Sequence, residues 1–283
     1  MHGKPWRLCF KSFALDLPTG ELTNLNNSWS TPDGGVIGIR YLFSADRSWF
    51  AATDYQAFEL RSVVGRWDQR EEMASLAAGL DTLYTVPQFW SGHSLAFLAY
   101  PPGEGKDWPE GYRLDLYLLN AETGEQRLLA RGATNAFLDP TGSRVAVFMA
   151  GSPRVGADGV ASAEGDALHL ALFSWPELQL LGSCPVACKG RMGDYDSDCL
   201  MPTWSRDGTH LVFAPAAGSL ASMDREGKME PILTGRRAQR ATWGADGILA
   251  LLVDGRIWLV RSQTTVSLVR PSPGWSGAGC GAR

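Results

Sequence analysis

The chain has 283 residues, 30 acidic and 26 basic, for a net charge of −4. That balance offers no excess of cations to neutralise phosphates, which speaks against nucleic-acid binding, and no apolar run approaches the roughly 18 residues a transmembrane helix needs. The 11 Trp, 11 Phe and 7 Tyr can bury too much apolar surface for a disordered chain, and the 32 Gly and 16 Pro imply the many turns that short strands require.

At the N-terminus, Lys4 and Arg7 precede no apolar stretch, so residues 1–10 do not read as a signal peptide. The first expected element is an outer hairpin within Phe13–Thr23, half of a repeat unit over 8–27. A connecting loop follows at 26–35, where Trp29-Ser30-Thr31-Pro32-Asp33-Gly34 offers a competing hairpin register. A full unit is expected over 36–80, with the inner hairpin Leu42-Phe43-Ser44-Ala45-Asp46-Arg47-Ser48-Trp49, in which Arg47 stands at the usual turn glycine. The unit over 83–132 has a shortened inner turn, Trp90-Ser91-Gly92-His93-Ser94, and a clear outer hairpin through Asn120-Ala121-Glu122-Thr123-Gly124. The unit over 133–183 opens on Leu138-Asp139-Pro140-Thr141-Gly142, and its Gly-, Ala- and Ser-rich stretch 151–166 reads as a flexible loop. An extension at 184–201 leads to the units 200–235, with Trp204-Ser205-Arg206-Asp207-Gly208, and 238–270, with Trp243-Gly244-Ala245-Asp246-Gly247; 271–283 is a Gly-rich tail.

The recurring phrase has a simple physical reading. A large apolar residue ends one strand, a polar turn follows, and an apolar strand begins. Gly supplies the positive φ that closes a tight hairpin, and Asp bonds its own backbone. The apolar anchors Phe43, Trp90, Leu138, Trp204 and Trp243 are spaced 47, 48, 66 and 39 residues apart. Four strands of about 5–6 residues with their turns fill such a period. One sheet of that size cannot cover both its faces alone, whereas sheets packed face to face around an axis cover one another. The expected fold is therefore all-β, a six-bladed β-propeller whose first blade is incomplete or irregular and whose other five are complete and four-stranded. Residues 1–270 form its single domain.

With their Trp-Ser-x-Asp-Gly inner hairpin and later Asp-x-x-Gly hairpin, residues 202–234 and 242–260 resemble the blades of TolB-type, WD40-like propellers. The likeness extends over about 8–270. It implies a non-catalytic scaffold that binds a protein or peptide, with protein contacts in the cell envelope if a leader precedes the chain. Two alternatives stand beside it. One is a propeller hydrolase or lyase acting on a sugar or ester at a central channel; the other is an accessory sensor domain of a longer polypeptide.

Candidate site residues concentrate in the extension and at isolated tryptophans. Asp194, Asp196 and Asp198 alternate like the opening of a calcium loop, although Cys199 stands where Gly would be expected and Ser205 where Glu would be; a solvated acidic loop is the alternative. A calcium ion is the one cofactor considered. Cys199 paired with Cys184 or Cys188 would staple the extension; zinc ligation and free thiols are the other readings of the same cysteines. The five cysteines form no disulfide framework. Trp67, Trp108 and Trp175 fall at turns or segment edges and are candidates for an aromatic contact surface. His2, His93, His169 and His210 are scattered along the chain. Gly274-Trp275-Ser276-Gly277-Ala278 lacks the last glycine of a nucleophile elbow.

Overall fold

The computed structural model describes residues 13–15, 22–24, 40–56, 59–67, 71–80, 82, 84–100, 113–186, 200–215, 219–234, 238–244, 247–253, 256–262 and 265–268. Every regular element among them is a strand. The chain divides into two compact parts, Met1–Trp108 with Arg113–Arg131, and Pro109–Tyr112 with Gly132–Arg283.

In the first part β1 (Phe13–Leu15) pairs with β2 (Leu22–Asn24) as a two-stranded hairpin. Strands β3 (Arg40–Phe43), β4 (Trp49–Gln56), β5 (Glu59–Arg66) and β6 (Glu71–Ser75) form a four-stranded antiparallel sheet in chain order. Next come β7 (Thr85–Ser91), β8 (Ser94–Ala99), β9 (Leu114–Asn120) and the first half of β10 (Gln126–Leu138). The change of part falls within β10, at Gly132.

The second part continues along β10 into β11 (Arg144–Val155), β12 (Ala161–Ser174) and β13 (Leu180–Pro185). Two four-stranded sheets follow. One is β14 (Thr203–Trp204), β15 (His210–Phe213), β16 (Leu220–Asp224) and β17 (Met229–Leu233); the other is β18 (Ala238–Trp243), β19 (Leu249–Val253), β20 (Arg256–Ser262) and β21 (Thr265–Leu268). Each takes its strands consecutively from the chain.

The apolar residues between the sheets explain this order. In the first part Trp49, Ala51 and Val64 of one sheet bury against Leu95, Phe97 and Tyr117 of the next. In the second part Phe148, Leu170 and Leu172 meet Leu211, Phe213 and Met223, and beyond them Val212 and Leu220 meet Leu249 and Leu251. Both faces of a middle sheet are thus covered, which is why β15 reads as an unbroken apolar run rather than an alternating one. Side chains such as Phe97 and Phe213 are fully buried, each contributing about 1.5–3 kcal/mol.

One expectation is overturned. Residues 151–166 are a regular extension of the β11–β12 hairpin, in register from Ser152↔Glu164 to Val155↔Ala161. Gly151, Pro153 and Ala161 are buried while Ser152 and Arg154 face out, and Arg154 pairs with Glu164 at 2.9 Å. The tip closes through Gly159 N–H to Gly156 O (3.0 Å) and Val160 N–H to Asp158 Oδ1 (3.1 Å). Small residues here allow close packing of a hairpin; composition alone made them look like a flexible loop. Cys184, placed at the start of the extension by sequence, lies within β13.

Candidate functional site

The inner turns that join the first two strands of a sheet are built alike. Ser44 Oγ and Ser48 Oγ donate to Asp46 at 2.6 and 2.8 Å, and Trp49 N–H donates to Ser44 Oγ at 3.0 Å. Ser205 Oγ and Thr209 Oγ1 donate to Asp207, both at 2.7 Å, and His210 N–H donates to Ser205 Oγ at 2.9 Å. These donors hold the Asp207 carboxyl at about 2, below its ordinary 3.8, with the Ser205 hydroxyl the largest cause; the Ser44 hydroxyl likewise leads in pulling Asp46 far down. Gly208 takes φ +66°, and a Cβ there would stand 2.7 Å from Asp139 Oδ2. Arg47 occupies the matching place at φ 60°, so the turn survives the exchange at a cost in backbone strain.

Each tryptophan anchor ties its strand to the sheet before it. Trp90 Nε1 donates to Leu42 O (2.9 Å), Trp204 Nε1 to Phe137 O (3.1 Å) and Trp243 Nε1 to Thr203 O (3.4 Å). In every case the acceptor is the residue just before the preceding anchor. The same bond in the same relative place marks these sheets as equivalent wedges.

Beside the last of these bonds lies a groove of about 260 Å³, lined by Thr203, Trp204, Arg206, Thr242, Trp243 and Gly244. Arg206 and Thr242 are exposed, the two indoles partly buried. The two indole N–H groups are already bonded to backbone, and Thr203, Thr242 and Arg206 give the groove a largely polar lining beside the two rings.

In the first part three turns meet at His93. Its Nδ1 lies 2.7 Å from Glu122 Oε1 and its Nε2 3.2 Å from Asp46 Oδ2. The Glu122 bond first, then the Asp46 bond, raises the His93 pKa above the ordinary 6.5. In the second part His210 Nδ1 lies 2.8 Å from Thr209 Oγ1, while His169 Nδ1 is buried without a partner among the described residues.

Of the residues singled out by sequence, Trp67 packs edge-on against Phe43 and Phe50, at centroid distances of 4.9 and 6.1 Å. Trp175 is only 6% exposed, and its backbone N–H donates to Ser143 O at 2.9 Å. Cys184 is a free, buried thiol whose pKa burial pushes up. Asp194, Asp196, Asp198, Cys188, Cys199, Trp108 and His2 lie outside the described residues. Among the described residues no group of three or more His, Cys, Asp or Glu is placed to hold a metal ion, and no helix is long and apolar enough to cross a membrane. Arg206 and the Glu122–His93–Asp46 contact were missed by sequence reading, since nothing local marks contacts between turns 47 residues apart.

Comparison with solved structures decides the architecture. The β-propeller domain of Cps50 (Swd1) from Myceliophteria thermophila superposes with a TM-score of 0.53 over 92% of this chain and 79% of its own, at 9% identity. The β-propeller domain of the Trilobed protease from Pyrococcus furiosus, described as having an open velcro topology, gives 0.56 over 95% and 76%, at 10% identity.

The fold is a β-propeller.

A chain of the Mitotic Checkpoint Complex is similar to this propeller with a TM-score of 0.54 over 92% and 71%, at 10% identity. The resemblance to TolB-type, WD40-like propellers drawn from the hairpin phrases is thus a likeness of fold. No family model and no curated protein matches the propeller's sequence.

Proposed function

We propose that this propeller is a non-catalytic scaffold that binds a protein or peptide segment, and that the groove between Trp204 and Trp243 receives an apolar side chain with a carboxylate close by in the same segment. The observation that carries the reading is the presence of two partly buried tryptophans and exposed Arg206 in one groove. Trp and Arg are the residues most often responsible for binding energy at interfaces. The volume, about 260 Å³, falls below the roughly 300–1,000 Å³ of small-molecule sites and suits a single inserted side chain. Among the described residues no carboxylate pairs with Arg206, which favours an acidic neighbour to that side chain. The likeness to a chain of the Mitotic Checkpoint Complex, a multi-protein assembly, supports the same class of function.

The test is selection from a random displayed-peptide library on the intact chain, followed by affinity measurement. The expected outcome is enrichment of peptides with Asp or Glu beside an aromatic or aliphatic residue, bound at least about ten-fold more weakly by Arg206→Glu and by the groove-filling Thr242→Tyr. Both positions are exposed, so neither change reaches the core. Enriched peptides that bind both variants as well as the parent would refute the assignment.

A further inference from the structure

We propose that His93 is a proton-operated latch between two neighbouring sheets of the first part: as imidazolium it ties the β3–β4 turn to the β9–β10 turn, and on losing its proton it releases Asp46 while keeping Glu122. The geometry leads to this reading. Both ring nitrogens face carboxylate oxygens, Nδ1 toward Glu122 at 2.7 Å and Nε2 toward Asp46 at 3.2 Å. Only the imidazolium donates from both nitrogens; a neutral ring donates from one and turns a lone pair on the other toward a carboxylate.

Which bond gives way follows from the distances and from the backbone. The Glu122 contact is the shorter, so it retains the remaining proton. It also joins two turns already fastened by Ala121 N–H to His93 O at 3.0 Å. Asp46 has independent support. Ser44, the Ser48 hydroxyl and the Ser48 N–H all donate to it, so the carboxylate stays ionised and in place when His93 lets go. The link that breaks is the one between sheets.

Three elements surround the imidazole. The β3–β4 turn supplies Asp46, next to Arg47; β4 supplies Trp49, whose ring centroid lies 6.5 Å from that of His93. The guanidinium of Arg66, from β5, stands over that same indole at 5.8 Å. The β9–β10 turn supplies Glu122, with Glu125 three residues on. The two groups in direct contact are both anionic. All three partners of the latch are about half exposed, so protons reach it freely.

Nitrogen-15 NMR of the imidazoles across pH 5–9 tests the latch, with His93→Gln used to assign the signal. In the parent protein the His93 midpoint is expected above 6.5. Above that midpoint the Nδ1–H tautomer is expected, and the Ser48 amide shift should move with the same midpoint. Asp46→Asn should lower the midpoint and abolish the linked movement at Ser48, with the Nδ1–H tautomer kept. A midpoint at or below 6.5, an Nε2–H tautomer, or a Ser48 amide indifferent to the His93 titration would each overturn the proposal. The titration of the parent protein is decisive once the signal is assigned, and if His93→Gln fails to fold, through-bond correlation from the His93 backbone assigns the ring instead.

Discussion

The inner turns show how few atoms set a hairpin. Asp207 accepts from Ser205, from Thr209 Oγ1 and from Thr209 N–H (3.1 Å), an arrangement that holds the loop as a backbone turn would. Its carboxyl sits at about 2 in the folded chain against 3.8 when free. A depressed folded pKa contributes stability that is present above pH 3.8 and is lost as pH falls through about 2. Because the carboxylate is almost fully solvated, the contribution after screening is at most about 1 kcal/mol. Thermal unfolding followed between pH 5 and 2 should show a shallower acid limb in Asp207→Asn than in the parent; an unchanged limb would mean the turn does not depend on the charge. The sign is opposite for His93. Its raised pKa contributes below pH 6.5 and is lost as pH rises through the folded value. Arg47 shows the reverse economy. It adopts φ 60° at a position where Gly208 needs no strain, because the surrounding Ser–Asp–Ser bonds impose the turn.

Between elements, the decisive bond is the tryptophan N–H reaching back to the previous anchor strand. Trp243→Phe keeps the ring in the groove wall and the core beside Leu249 but removes the donor to Thr203 O. A loss of about 1 kcal/mol is expected, measured as a shift in the denaturation midpoint at constant slope; a neutral result would show that the bond follows the packing rather than fixing it. Close backbone approach does similar work elsewhere in the second part. A Cβ at Gly227 would lie 2.5 Å from Leu181 O, so the β16–β17 turn fits against β13 only with glycine there. The β11–β12 extension belongs to this scale as well. Its alternation of buried Gly151 and Pro153 with exposed Ser152 and Arg154 is the period of a strand, masked in the sequence by small residues that equally suit a flexible loop.

For the molecule as a whole, a repeat architecture makes stability a sum of sheet and neighbour terms. Trp90 and Trp243 bond within different compact parts and share no partner. Trp90→Phe and Trp243→Phe should therefore destabilise additively, the double variant matching the sum within about 0.5 kcal/mol. A larger departure would reveal coupling through the intervening sheets. The proposed binding groove and the His93 latch likewise lie in different parts, so His93→Gln should leave peptide affinity unchanged.

What the sequence determined by itself is local. The Trp-Ser-Arg-Asp-Gly turn at 204–208 and the outer turn at Asn120–Gly124 carry their own glycines and side-chain acceptors, within five residues of the backbone they shape, and so did the apolar strands that follow them. From these the all-β class and the repeat were legible. Only the tertiary structure decided which strands share a sheet with which neighbours, that Trp67 packs on Phe43 and Phe50 while Trp175 is buried, that Arg206 stands beside two indoles, and that Asp46, His93 and Glu122 meet. Those outcomes depend on contacts between residues far apart in the chain, such as His93 with Glu122, 29 positions on, and Trp204 with Phe137, 67 positions back. Their distances are set by the packing of whole sheets, and no turn or period along the chain encodes them.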